Sequence, residues 1–383
     1  MSIVVVGAGI GGVRTVQRLR ARGYVGAVDV VGAEPHRAYD RPPLSKSVLA
    51  GGDRKPLLTE EVEQSLDVRW HLGVAARSLD TTRRVVITDA GELAYEHLVV
   101  ATGALPRRVP GLPGVVLRTW DDAVALRRQF APGRTVVVIG AGVLGCEIAA
   151  SAAVAGCEVH LVDVEAAPMT RVLGRSLAAE IVTLHERNGV TLHLGVTADR
   201  EGLDQLVLSD GTLLTAPVVV QAVGAVPDVA WLDGSGLAVD GGVVCDERGR
   251  ASAERVHAVG DVAVWSGRRY EHWTSATDQA DVVAADALGV ELPAAAVQYW
   301  WSDQHGVKVQ GLGATGAGSE VWLGRFGPQG RPVALYARDG LLVGVVGFSA
   351  PGAVMSLRAS INAAVPVTEV AERFEARPVV SRA

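Results

Sequence analysis

The sequence predicts an α/β protein with two Rossmann-like dinucleotide-binding domains followed by a small C-terminal α/β domain. A Gly-x-Gly-x-x-Gly run occurs twice, as Gly7, Gly9 and Gly12 and again as Gly140, Gly142 and Gly145. Each run follows a β-branched stretch, opens an Ala/Leu-rich stretch that closes on a glycine (Gly23, Gly156), and leads to a second apolar strand with an acid near its end. Beyond both copies the chain reads as further strands, including 299–304 and 341–348.

In such a fingerprint the first glycine makes the turn between strand and helix, the second lets a pyrophosphate approach the backbone, and the third lets helix and strand pack closely. The helix N-terminus then offers unpaired N–H groups to the anion. The acids are Glu34, 27 residues beyond its first glycine, and Asp163, 23 beyond. A carboxylate there accepts the ribose hydroxyls of a bound nucleotide.

The repeat continues downstream. Residues 85–91 and 206–211 read as hairpin strands with a turn, and each is followed by a buried apolar strand closing on glycine, Gly103 after Ala101-Thr102 and Gly224 after Ala222-Val223. Two nucleotide cofactors on one polypeptide are expected, and the usual reason for that pairing is electron transfer between them.

Composition narrows the class. The chain has 383 residues, 49% of them apolar and 20% charged, which suits a compact protein of two or three domains. A formal charge of -6 argues against nucleic acid as partner. Cys146, Cys157 and Cys245 form no C-x-x-C pair and are too few for a disulfide framework. With no signal sequence and no apolar run long enough for a membrane span, a cytoplasmic protein without membrane attachment is expected. No metal site is expected, and either a monomer or a homodimer is compatible with the sequence.

Residues 39–46 (Tyr-Asp-Arg-Pro-Pro-Leu-Ser-Lys), 101–103 (Ala-Thr-Gly), 259–263 (Val-Gly-Asp-Val-Ala) and 301–304 (Trp-Ser-Asp-Gln) extend the pattern. With them the chain resembles the FAD- and NADH-dependent ferredoxin reductases of bacterial oxygenase systems over almost its whole length. The resemblance implies a glutathione-reductase-like fold with an FAD domain split over 1–108 and 227–297, an inserted NAD domain at 109–226, and a C-terminal domain at 298–383. It further implies passage of electrons from NADH through FAD to a small 2Fe–2S ferredoxin that feeds an oxygenase.

Site roles follow from the same resemblance. Gly7, Gly9, Gly12, Glu34, Ala76, Ala101, Thr102 and Gly103 are expected in the FAD site, and Gly140, Gly142, Gly145, Asp163 and Gly224 in the NAD site. Asp261 is expected on a ribityl hydroxyl of FAD, although Asp after Gly is also a common helix cap. Arg41 and Lys46 belong beside the flavin and its pyrophosphate. Only three of the 36 basic residues are lysine, so Lys46 inside a motif stands out, and its ammonium suits the negative charge of a reduced flavin. Trp273 opens a helix whose N-terminus the family points at the flavin pyrimidine edge, with Thr274 or Ser275 as cap; it also reads as a plain core aromatic. Glu147 is expected near the nicotinamide, where a carboxylate equally suits the helix dipole. Lys46, Glu147 and Trp273 are therefore the catalytic candidates.

Asp163 favours NADH by repelling a 2′-phosphate, with Arg171 and Arg175 close enough in sequence to reverse that preference. Arg41, Arg268, Arg269 and Arg325 are candidate docking charges for an acidic ferredoxin. Cys146 and Cys157 are expected as buried structural thiols, which disfavours thiol chemistry. Where 349–352 (Ser-Ala-Pro-Gly) stands the chain departs from the family, and its short ending is expected to leave little room for extra helices. Two further readings stay open: an NADH-dependent flavoenzyme that reduces oxygen or a quinone, and an NADH-responsive redox-sensing flavoprotein.

Overall fold

A computed structural model describes residues 2–201, 204–316 and 318–379. The chain divides into two compact units. The first comprises Met1–Arg41, Arg54–Leu105 and Ala225–Ala296, the second Pro42–Asp53, Pro106–Gly224 and Val297–Ala383.

The first unit is centred on a five-stranded parallel sheet in the order Val256–Ala258, His97–Val100, Ile3–Val6, Val28–Gly32, Arg69–Leu72. The four residues of the central strand are all buried, as a parallel strand covered on both faces requires. On one side Val5, Val13, Val16, Leu19 and Val283 form a core; on the other Val4, Val6, Leu98, Val100 and Trp231 form a second. A three-stranded antiparallel sheet, Ala76–Asp80 with Val85–Thr88 and Gly91–Ala94, supplies the expected hairpin.

The second unit repeats this order. Val190–Leu194, Glu158–Asp163, Thr135–Ile139 and Val218–Gln221 form a four-stranded parallel sheet, so in both units the fingerprint strand lies between the acid-bearing strand and the strand that leads to the terminal glycine. Its three-stranded companion joins Ala198–Arg200, Gln205–Leu208 and Leu213–Thr215. The segment Pro42–Asp53 belongs to this unit by its contacts, although it lies within the stretch expected in the FAD domain.

The same unit contains a six-stranded antiparallel sheet in the order Tyr299–Gln304, Val307–Gly313, Leu341–Phe348, Arg331–Arg338, Glu320–Phe326, Arg377–Pro378. The expectation of little helix at the C-terminal end is corrected here: helices span Pro351–Ser356, Arg358–Asn362 and Val367–Ala371. Pro351 stands in the first turn, where a missing N–H costs nothing. Ala353, Val354, Leu357, Val367, Val370 and Phe374 then bury an apolar face with Leu312, Val333 and Leu335. Helices this short gain their stability from such packing rather than from propensity.

Candidate functional site

The first fingerprint takes the geometry a pyrophosphate needs. Gly7 has φ +121, and a Cβ there would stand 2.1 Å from the Ala101 carbonyl oxygen; a Cβ on Gly12 would stand 2.0 Å from the carbonyl oxygen of Gly7. Around Gly9 there is open space within 4 Å. Gly9 is also the N-cap of helix Ile10–Ala21 and offers no side-chain cap, so the helix's first N–H groups are left for a ligand. The turn and packing glycines are thus closed by protein, and the middle one is open.

The second fingerprint repeats the pattern with different neighbours. A Cβ on Gly140 would meet the Ala222 carbonyl oxygen at 2.4 Å and one on Gly145 the Gly140 carbonyl oxygen at 1.8 Å, while Gly142 faces open space. Gly142 caps helix Val143–Val154, again without a side-chain bond.

The acids are held differently. Glu34 accepts from the Tyr39 hydroxyl at 2.6 Å and from Arg41 Nη2 at 2.7 Å. Arg41 is therefore engaged inside the unit as a partner of the first acid, which tells against its use as a free docking charge. Arg269 is likewise paired, with Glu271 at 2.6 Å, and Arg325 donates to the Gly330 carbonyl. Asp163 accepts from the backbone N–H of Ala141 and from that of Glu165, the latter at 2.8 Å. Arg171 and Arg175 lie in the stretch Thr170–Arg187, which is broken at Gly174 by a non-helical φ of 69.

Other candidates of the first unit gather around the terminal glycines. The Thr102 hydroxyl donates to the Asp228 carbonyl at 2.8 Å, and the Asp228 N–H returns to the Gly103 carbonyl at 3.0 Å. Ala76 starts its strand beside a bulge and is half-buried. Asp261 lies in a single 3-10 turn, Gly260–Val262, with Val259 at its cap position, so the helix-cap alternative does not apply. Gln279, which sequence reasoning passed over although it follows Trp273 by six residues, accepts the Gly260 N–H at 2.7 Å and fixes that turn.

Helix Trp273–Leu288 corrects the expected cap. His272 holds the cap position without a side-chain bond, and Trp273, Thr274 and Ser275 are already helical. A buried Ser275 is in the first turn rather than ahead of it. The Trp273 indole N–H donates to Asp40 at 2.8 Å, and the Arg14 guanidinium lies 5.7 Å from its ring centroid. Trp273 therefore ties Asp40 to this helix, and it is only half-buried, unlike a plain core aromatic.

Lys46 and Glu147 meet in the second unit. Lys46 stands in a five-residue π-helix, Leu44–Val48, a geometry often found at functional sites. Its ammonium is 2.8 Å from Glu147 Oε2 and donates to the Pro42 carbonyl at 3.1 Å. Glu147 is 4% exposed and accepts further from the Ser45 hydroxyl at 2.5 Å and the Ser302 hydroxyl at 2.7 Å. An ionised carboxylate this deep costs several kcal/mol unless its lone pairs are satisfied, and here a cation and two hydroxyls satisfy them. Ser151 fixes Ser45 by donating to its carbonyl at 2.7 Å. Neither Ser45 nor Ser302 was singled out as a site residue, although both stand inside quoted motifs; the signal missed was a small hydroxyl beside Lys46 and another in a strand.

The three cysteines are free and buried. Burial pushes the Cys245 thiol up to about 12 and raises Cys146 and Cys157 as well, so none is poised as a thiolate. Among the described residues no helix is long and apolar enough to cross a membrane.

Two phosphate cradles with separate acids, and a lysine–glutamate centre without a reactive thiol, define a two-nucleotide redox protein. The chain belongs to the family described as pyridine nucleotide-disulphide oxidoreductase, whose model matches residues 1–280; a model described as reductase C-terminal matches residues 299–375. It is 35% identical to the ferredoxin–NAD(+) reductase subunit of a benzene 1,2-dioxygenase system from Pseudomonas putida, covering 91% of this chain and 89% of that one. Among solved structures, a ferredoxin reductase for the CYP199A2 system from Rhodopseudomonas palustris matches with TM-score 0.90 and 31% identity over 96% of each chain. The covalent complex of putidaredoxin reductase with putidaredoxin matches with TM-score 0.90 and 29% identity over 95% of this chain and 94% of that one.

Proposed function

We propose that this chain is the reductase of an oxygenase system, oxidising NADH and reducing a ferredoxin by way of bound FAD. The observation that carries the reading is the duplicated cradle, closed at Gly12 and Gly145 and open at Gly9 and Gly142, in a chain that aligns nearly end to end with a ferredoxin–NAD(+) reductase. Bound FAD supplies the change from a two-electron donor to one-electron acceptors. The 2Fe–2S type of the ferredoxin, a cytoplasmic location and the division into 1–108 with 227–297, 109–226 and 298–383 are parts of the same proposal.

The chain's own groups have these roles in it. The N–H groups at the start of helix Ile10–Ala21 and the side chain of Glu34 hold the FAD pyrophosphate and adenosine ribose; Ala76, Ala101, Thr102, Gly103, Arg41 and Asp261 complete that site. The start of helix Val143–Val154, Asp163 and Gly224 do the same for NADH. Lys46, bonded to Glu147, is the cation this reading assigns to the negative charge that builds on a reduced flavin. Lys46→Met should leave FAD bound and slow its reduction by NADH about tenfold or more, the scale of one lost charge-assisted contact; an unchanged rate removes that role.

The acceptor is tested by cytochrome c reduction with the purified flavoprotein and NADH. Reduction that depends on an added 2Fe–2S ferredoxin supports the proposal. Fast consumption of NADH with oxygen or a quinone alone, and no gain on adding ferredoxin, replaces it with a small-acceptor oxidoreductase.

A further inference from the structure

Successive side chains of strand Arg331–Arg338 point to opposite faces of its sheet. Val333, Leu335 and Ala337 join the apolar core that the terminal helices cover. Tyr336 points the other way and is fully buried; the register with strand Leu341–Phe348 shifts just after it, a bulge of the kind that re-aims a side chain. An enclosed tyrosine hydroxyl needs a hydrogen-bond partner. Here it donates to the Leu173 carbonyl at 2.7 Å, and burial, which pushes its pKa up, keeps it a donor.

That carbonyl is open to a side chain because the stretch Thr170–Arg187 breaks beside it. Gly174, with φ 69 and ψ 166, leaves helical geometry, and a carbonyl at such a break loses the N–H that would have closed its turn. Two further groups from the same antiparallel sheet meet the same turn. Gln304 Nε2 donates to the Met169 sulfur at 3.2 Å. Gly316, just beyond strand Val307–Gly313, packs so closely that a Cβ on it would stand 2.2 Å from the Arg171 carbonyl oxygen. Residues 169, 171 and 173 are thus each held from the sheet.

The turn in its turn holds the second fingerprint. Met169 is buried and takes φ 55 and ψ 20, a left-handed backbone that is costly for a residue other than glycine and persists only where its surroundings enforce it. In that conformation its N–H reaches the Ala141 carbonyl at 2.9 Å. Ala141 stands between Gly140 and Gly142, and Asp163 accepts its N–H. Both backbone groups of this residue are therefore fixed, one by the acid and the other by the turn.

We propose that Tyr336 is a positioning residue for the pyridine nucleotide: it anchors the turn 169–174, and through Met169 that turn fixes Ala141 and with it the Gly140–Gly142 cradle. The antiparallel sheet thereby sets how tightly the second cradle grips the pyrophosphate and adenosine of a dinucleotide. The inference rests on the reading of the second fingerprint as the NADH site.

The test is a calorimetric titration of the FAD-loaded protein with ADP-ribose, which carries the pyrophosphate and adenosine of NADH without the nicotinamide. In Tyr336→Phe, which removes only the hydroxyl, the Kd should rise about tenfold, the scale of one buried hydrogen bond. KM for NADH should rise with it, while the limiting rate of flavin reduction and the FAD content stay at the parent values. Val345→Ala loosens the other face of the same sheet; it should lower the unfolding temperature and leave the Kd unchanged. Gln304→Leu should raise the Kd by less than Tyr336→Phe, and it serves if Tyr336→Phe does not fold. A folded Tyr336→Phe or Gln304→Leu with the parent's Kd, or an equal rise in Val345→Ala, overturns the proposal and leaves the function proposed above standing. A parent that binds neither ADP-ribose nor NADH overturns that function, and this inference with it.

Discussion

The two glycine fingerprints share a backbone but not the way their acids are fixed. Both close the same pair of glycines against carbonyl oxygens and open the middle one. Glu34 is then held by side chains, Tyr39 and Arg41, from the loop that follows it. Asp163 is held by backbone N–H groups of Ala141 and Glu165. The shorter acid is locked to the fingerprint turn itself, whereas the longer one depends on a loop motif. The glycine turn is therefore common to both copies, and the acid is where they diverge.

The comparison breaks most sharply at the packing glycines. Gly12→Ala and Gly145→Ala each drive a methyl into a carbonyl oxygen, an overlap of a kind that costs about 1 to 3 kcal/mol or more. Gly12→Ala should yield protein that loses flavin on gel filtration. Gly145→Ala should stay yellow and fail to be reduced by NADH. Loss of flavin from both would show that the copies are not independent.

Gly9→Ala and Gly142→Ala sharpen it, because the protein leaves space for both methyls. Their thermal unfolding without ligand should stay within about 0.5 kcal/mol of the parent, the range of unconstrained substitutions. Affinity for FAD should fall in the first and for NADH in the second. Equal destabilisation without ligand would mean that the open space is not a ligand cradle.

Asp163→Asn should narrow the preference for NADH over NADPH about tenfold, the scale of one charge contact. The ratio of kcat/KM for the two nucleotides reads this out, and a parent enzyme that already prefers NADPH would reverse the assignment of Asp163. Arg41→Ala should cost only about 0 to 1 kcal/mol in stability, since the pair with Glu34 is partly exposed, while weakening FAD binding.

A pH effect separates the second unit from general acid unfolding. Burial lowers the folded pKa of His185 to about 4, below its ordinary value, so the unfolded chain binds that proton first as pH falls. The contribution is complete above about pH 6.5 and is lost progressively down to about 4, on the order of 3 kcal/mol. Between pH 7 and 5, His185→Asn should show a shallower fall in Tm than the parent. A parallel fall in the two proteins contradicts the buried neutral imidazole.

Much of this was legible because it is local. A glycine spacing after a valine strand dictates turn, helix and cap within a dozen residues, and both copies fold as that logic requires. The terminal helices were not legible: five- or six-residue helices have little period to read, and theirs exist by packing on Leu335 and Val345. The cap of helix Trp273–Leu288 was misread because Thr274 and Ser275 are good cap residues, yet the helix already begins at Trp273 with His272 as its cap, two residues before Thr274. Lys46 and Glu147 were singled out separately, but their contact, and the Ser302 bond across 155 residues, depend on tertiary placement that no spacing encodes.

The most direct measurement is an anaerobic titration of the purified protein with NADH, followed by visible absorption. The account predicts a yellow protein, or one made yellow by added FAD, whose flavin band bleaches as NADH is added and returns when an oxidised ferredoxin is supplied. A preparation that takes up no FAD, or one that stays fully oxidised in excess NADH, contradicts it.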